Sequence, residues 1–289
     1  MRLVDFLDQS LALSGCQSDA SALHPDEKGR SDPGVGFYDL DNDHFLSYQE
    51  MVNASIQLAA VLRRKGVKPQ DVIATYAPNS VAAYCCIFAI SRIGAVWLPL
   101  NVKNTLDANL RLIDKAGVSV MFLHESIAAK YPELINHFGE EQSIFLDGQH
   151  IAGLAFSSLV QELVPEVGIV DLDSSTDSFT DSSIDKNSTV SLLSTGGTTG
   201  DSKLAEWSSL TWKTISDIQQ ELMPAPDIPS CYLVSAPMSH AAGMASFVPI
   251  LQGASIIVMD GMVPERLLSV IESYRITHLF LPPTAIYML

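Results

Sequence analysis

The strongest constraint on how this chain folds is a run in which apolar helices and apolar strands take turns, with glycine or proline between them. Ser47-Tyr-Gln-Glu50 has the form of a capping box, and Met51, Val52, Ile56, Leu58, Ala59 and Leu62 line one side of the helix it opens, before Gly66 ends it. Residues 71–76 then read as a strand. Pro78-Asn79 turns the chain into an apolar helix that ends near Gly94, and residues 95–100 form a second strand. Thr105 caps a helix with Leu106, Leu110 and Ile113 on one face, Gly117 stops it, and residues 118–123 give a third strand. Strand, helix, strand, helix, strand is the repeating unit of a parallel sheet covered by helices, so the expected class is α/β with mostly parallel sheets in stacked layers.

The alternation resumes after residue 188. Residues 189–194 read as a buried strand, 211–223 as an amphipathic helix, Cys231 to Val234 as a strand, 245–251 as a short helix and 254–259 as a strand. Pro264 sits in the first turn of a helix through Tyr274, and a strand at 277–281 leads into Pro282-Pro283. Residues 284–289 look like the opening turns of a helix too short to offset its nucleation cost. The expectation is therefore an amino-terminal portion of a longer protein, or an early-terminated chain. The Asp/Ser-rich run 171–188 reads as a linker or surface loop, dividing the sequence into subdomains at 1–170 and 189–289.

Between the strand at 189–194 and the helix at 211 lies Thr195-Gly-Gly-Thr-Thr-Gly-Asp-Ser-Lys203. Gly196, Gly197 and Gly200 free the backbone to turn N–H groups toward one centre, Thr195, Thr198 and Thr199 add hydroxyls, and Lys203 adds a mobile cation. This is phosphate-holding chemistry at the carboxyl end of a strand. It is not a Walker A loop, because Asp201 and Ser202 separate the last glycine from the lysine and Leu204 follows it. A dinucleotide-binding oxidoreductase is disfavoured by the lack of a Gly-x-Gly-x-x-Gly turn after the first strand. Downstream, Ala236-Pro-Met-Ser-His-Ala-Ala-Gly-Met244 follows the strand that ends at Val234 and places His240 in a loop beside Gly243.

The loop resembles the signature Thr-Ser-Gly-Thr-Thr-Gly-x-Pro-Lys-Gly of the adenylate-forming superfamily, which includes acyl-CoA synthetases, fatty-acid–CoA ligases, peptide-synthetase adenylation domains and luciferases. Gly196, Ser202 and Leu204 depart from that form. Pro237, His240 and Gly243 match the superfamily's Pro-x-x-His-x-x-Gly segment. Gly66-Val-Lys-Pro-Gln-Asp71, Pro78-Asn-Ser80 and Gly94-Ala-Val-Trp-Leu-Pro-Leu100 extend the likeness from about residue 35 to the chain end. The resemblance implies ATP-dependent conversion of a carboxylic acid to an acyl-adenylate and transfer to a thiol, that of coenzyme A being preferred to a carrier protein's. It implies that Thr195, Gly196, Gly197, Thr198, Thr199, Gly200 and Lys203 hold the ATP phosphates, with Thr198 or Thr199 near Mg²⁺. His240, Ala241, Gly243 and Met244 would border the acyl and thiol pocket. The catalytic Lys, the adenine- and ribose-holding segments and the main Mg²⁺ carboxylate belong to parts of the superfamily pattern that lie beyond residue 289. The alternatives are a noncatalytic nucleotide-binding fragment or truncated relative, and a peptide-synthetase adenylation domain.

Composition narrows the partners. With 289 residues and 47% apolar content the chain can bury a sizeable core, and a net charge of −16 disfavours nucleic acid. Cys16, Cys85, Cys86 and Cys231 lack metal-ligand spacing and fit thiols of a reducing, cytoplasmic compartment. Residues 81–100 are apolar, but Arg92, Gly94 and Pro99 make them a buried helix plus strand rather than a membrane span.

Overall fold

A computed structural model describes residues 1–14, 35–146, 185–195, 203–224 and 229–289. In chain order the elements are α1 (Leu3–Ser14), β1 (Gly36–Asp39), β2 (His44–Ser47), α2 (Tyr48–Arg64), β3 (Val72–Tyr76), α3 (Val81–Arg92), β4 (Val96–Pro99), α4 (Leu106–Ala116) and β5 (Val118–His124). Next come α5 (Glu125–Lys130), α6 (Glu133–Phe138), β6 (Ser143–Leu146), β7 (Thr189–Thr195), β8 (Lys203–Ser208), α7 (Ser209–Leu222) and β9 (Cys231–Val234). The remainder is α8 (Ala241–Ala245), α9 (Phe247–Leu251), β10 (Ser255–Val258), α10 (Pro264–Ser273), β11 (His278–Leu279) and α11 (Pro283–Ile286).

The helix ends follow their sequence signals. Ser47 Oγ accepts from the Glu50 N–H at 3.2 Å while Glu50 Oε2 accepts from the Ser47 N–H at 2.8 Å, which closes the capping box of α2. Ser80 caps α3 and Thr105 caps α4, whose far end closes on Gly117 in the left-handed conformation.

The strands assemble into two sheets, ordered β11-β9-β10-β1-β2 and β6-β5-β3-β4-β7-β8. All neighbours are parallel except β1 with β2 and β7 with β8. Each sheet draws strands from both sides of residues 147–184. β1 pairs with β10 in the register Phe37↔Ile256, and β4 meets β7 at Trp97↔Ser191. The sheets thus cut across the sequence division at 171–188. Of that run, residues 171–184 lie outside the described residues, and Asp185 to Ser188 form a turn closed by the Ser188 N–H on the Asp185 carbonyl at 2.8 Å.

Helix α3 packs against α1, α2, β1, β3 and β4, and every residue from Val81 to Ser91 is buried. An aromatic cluster continues this core: Phe247 lies 5.4 Å from Phe6, 6.2 Å from Phe88 and 5.3 Å from Trp212, ring centre to ring centre. The buried indoles keep their donors satisfied, Trp97 on Thr75 Oγ1 at 2.8 Å and Trp212 on Ser191 Oγ at 3.0 Å.

Two expected elements differ. The helix expected at 245–251 is two short ones, α8 and α9, hinged at Ser246, because Pro249 has no N–H to continue a ladder from the preceding turn. The strand expected at 277–281 shrinks to the two residues of β11, which among the described residues pair with β9 alone before the Pro282-Pro283 break. Beyond it Phe280, Ile286, Tyr287, Met288 and Leu289 are exposed. No helix among the described residues is long and apolar enough to cross a membrane.

Candidate functional site

Strand β7 leaves the parallel core of its sheet and returns as antiparallel β8, with Thr195 opposite Lys203 at the loop end of the hairpin. Thr195 Oγ1 donates to the Lys203 carbonyl at 3.3 Å, and both residues are exposed. Gly196, Gly197, Thr198, Thr199 and Gly200 lie outside the described residues. What the flanks establish is a loop closed by a ladder pair and carrying an ammonium at its base. Leu204, where the signature has glycine, pairs with Ser194 and packs against the core of this sheet. It anchors the returning strand, a job that needs a side chain.

The second part of the site follows β9. Asn79, after β3, donates Nδ2 to the carbonyls of Ala236 (2.9 Å) and Met259 (3.1 Å) and accepts from the Met238 N–H at 2.8 Å. One buried amide thereby satisfies three backbone groups and fixes the path of residues 236–238. The chain then doubles back so tightly that a Cβ on Gly243 would lie 2.0 Å from the Met238 carbonyl oxygen, so only glycine fits. Ser246 Oγ donates to the Gly243 carbonyl at 2.5 Å and accepts from Tyr84 at 2.5 Å, tying this turn to α3. Burial holds the Tyr84 hydroxyl far above its usual titration range, so it stays a donor.

His240 occupies the N-cap position of α8 without capping it. Its exposed ring reaches instead to Asn101, after β4 of the other sheet, with Nε2 2.8 Å from Nδ2. Ala241 is exposed, while Met244 is half-buried against the large core. A cleft of about 60 Å³ lies alongside, lined by Pro78, Asn79, Lys103, Ser235, Met238 and Asp260 among others. The buried Ser235 Oγ there has no hydrogen-bond partner among the described residues.

Sequence reasoning picked out His240 and Gly243, placed Asn79 in a turn and in the superfamily likeness without a role in the site, and passed over Asn101 and the buried Asn109. The available signal was an asparagine just past each of two strands, where ligand clefts of α/β folds open. Cys85 and Cys86 are buried in α3 and kept as thiols, burial pushing Cys85 up to about 12 and Cys86 well above its usual range. Among the described residues no group of three His, Cys, Asp or Glu side chains is placed to hold a metal. Of the described loop residues Lys203 offers the exposed donor, an ammonium suited to phosphate oxygens, while the Thr195 hydroxyl donates to the Lys203 carbonyl.

Known proteins share this fold. The profile of the family described as AMP-binding enzyme matches residues 26–289. Feruloyl-CoA synthase of an Amycolatopsis species is 28% identical over 243 residues, which are 83% of this chain and 44% of that protein. Enterobactin synthase component F of Shigella flexneri is 31% identical over 96 residues, 33% of this chain and 8% of that protein. Among solved structures, o-succinylbenzoate CoA synthetase from Bacillus subtilis, in complex with the acyl-adenylate intermediate OSB-AMP, superposes with a TM-score of 0.69 at 16% identity. That match covers 98% of this chain and 63% of the other. The chain thus spans less than half the length of the feruloyl-CoA synthase it matches, yet the match to the family runs through both sheets and both parts of the site. This chain belongs to the AMP-binding enzyme family.

Proposed function

We propose that this chain carries the phosphate-holding and acyl-facing parts of an enzyme that activates a carboxylic acid with ATP and passes the acyl group to coenzyme A in the cytoplasm. The observation that carries the reading is Lys203 at the base of the β7–β8 hairpin, an exposed ammonium at the carboxyl end of a parallel core strand. A carboxylate oxygen attacks the α-phosphorus of ATP, the bond to the bridging oxygen breaks, and pyrophosphate leaves. The thiol sulfur then attacks the acyl carbon and AMP departs. Lys203 and Thr195, with Gly196, Gly197, Thr198, Thr199 and Gly200, hold the β- and γ-phosphates, so this part of the chain works by positioning and charge neutralisation. Thr198 or Thr199 would be the hydroxyl that helps to hold Mg²⁺ brought by the nucleotide, and the ion would supply charge neutralisation to the phosphates. His240, Ala241, Gly243 and Met244 border the acyl group and the thiol path.

The likeness to feruloyl-CoA synthase supports an aromatic acid such as ferulate as the first substrate to try. A second reading, adenylation within a peptide synthetase, is supported by the shorter match to enterobactin synthase component F. The test is a Mg-ATP titration of the chain and of Lys203→Ala, with carboxylate-dependent exchange of pyrophosphate into ATP measured in parallel on the complete natural protein. Loss of one charge-assisted contact, about 1.5–3 kcal/mol, predicts roughly ten-fold to hundred-fold weaker nucleotide binding by the variant. Equal affinities would remove Lys203 from this role. Exchange driven by ferulate but not by amino acids favours the CoA ligase, and the reverse favours the peptide synthetase. Binding without exchange leaves a noncatalytic nucleotide binder.

A further inference from the structure

The orientation of the Asn101 amide is fixed by its neighbours. Its Oδ1 lies 2.9 Å from the backbone N–H of Lys103, a group that only donates, so that atom is the oxygen and the nitrogen faces His240. The residue itself is held on both sides: its carbonyl accepts from Asn109 Nδ2 at 2.9 Å and from the Asn104 N–H at 3.1 Å. Asn109 is fully buried, and its Oδ1 takes Asn104 Nδ2 at 3.0 Å. An amide nitrogen has no lone pair to offer. The imidazole nitrogen 2.8 Å away, Nε2, therefore has to accept, and in the neutral ring the proton sits on Nδ1.

We infer that Asn101 is a positioning residue that selects the Nδ1–H tautomer of His240. A neutral imidazole exposed to water favours the opposite form, with the proton on Nε2, so the selection is a detectable departure. Its consequence is that the remaining ring nitrogen is a donor. It suits an oxygen of a carboxylate or acyl group and cannot take a proton from a thiol. That use of the donor rests on the acid-activating function proposed above; the tautomer does not.

The test is two-bond ¹H–¹⁵N correlation spectroscopy of the chain labelled with ¹⁵N-histidine, at about pH 9, where imidazoles are neutral. The His240 signals are assigned by their loss in His240→Gln. The expected wild-type pattern is a protonated Nδ1 and an unprotonated Nε2. Asn101→Asp keeps an acceptor for the Lys103 N–H but puts a carboxylate oxygen opposite Nε2, and should move the proton to Nε2. A wild-type ring in the Nε2–H form overturns the inference whatever the variant does. So does a folded Asn101→Asp protein with its tautomer unchanged. An Nδ1–H ring alongside failed pyrophosphate exchange by the complete natural protein counts against the enzymatic reading alone.

Discussion

A single added methyl group at residue 243 tests how closely the His240 loop is built. Gly243→Ala forces a carbon against the Met238 backbone, which Asn79 holds from behind and which has no side chain to swing away. The expected cost is about 1–3 kcal/mol or more, read as a lower midpoint in urea unfolding. At the same scale, His44 makes stability depend on pH. Burial is the main cause that lowers its pKa, the carboxylates of Asp39 and Glu50 offset part of this, and Nε2 is buried without a hydrogen-bond partner among the described residues. A folded state that disfavours the proton binds fewer than the unfolded chain does, so stability is intact above about pH 6.5 and falls as pH drops below it. His44→Gln should flatten that part of the profile in thermal melts from pH 7 to pH 5. An unchanged slope would show that other groups set it.

At the scale of elements, the capping box of α2 predicts that Ser47→Ala lowers stability by about 1 kcal/mol in urea titrations, with Glu50→Ala costing less because Ser47 can still cap. This helix shows what the sequence makes legible. Caps, glycine stops and helical spacing are local, so α2, α3 and α4 were readable within a residue or two at most boundaries, and the apolar runs of β3, β4, β5 and β9 were as clear. Other elements depend on distant partners. β1 and β2 are four residues each, and β1 is held by β10, more than two hundred residues away. β8 reads as the polar tail of a loop until β7 is placed beside it. The site divides in the same way: Lys203, His240 and Gly243 stand in motifs, whereas Asn101 gains its role only when the end of β4 meets the loop after β9. Helix α1 did carry an apolar spacing in Leu3, Phe6 and Leu7, but its placement rests on packing against α3 and α9.

For the whole molecule, the exchange of strands between the two sheets predicts one unfolding transition. Near-ultraviolet circular dichroism, which reports the aromatic cluster, and far-ultraviolet circular dichroism should give coincident curves. A chain cut after Leu146 loses β10 from beside β1 and β7 from beside β4, and should lack native spectral dispersion. The helical layer has its own joint: Arg92 grips Asp8 through two bonds of 2.5 and 3.1 Å and Ser55 Oγ at 2.7 Å, linking α1, α2 and α3. Arg92→Met should cost about 1.5 kcal/mol, toward the lower end for charged hydrogen bonds because the Asp8 carboxylate is 40% exposed to screening solvent. Thermal melts in low salt would read it.

The edge strand β11 has a colloidal consequence. Among the described residues it is paired on one side only, next to exposed Phe280, Ile286, Tyr287, Met288 and Leu289, a surface that attracts its own kind. What keeps two such molecules apart is their shared charge of −16, which acts over about 10 Å at 0.1 M salt and about 3 Å at 1 M. Static light scattering should therefore show single chains in dilute buffer and growing clusters as salt is raised, the reverse of an assembly held by ion pairs.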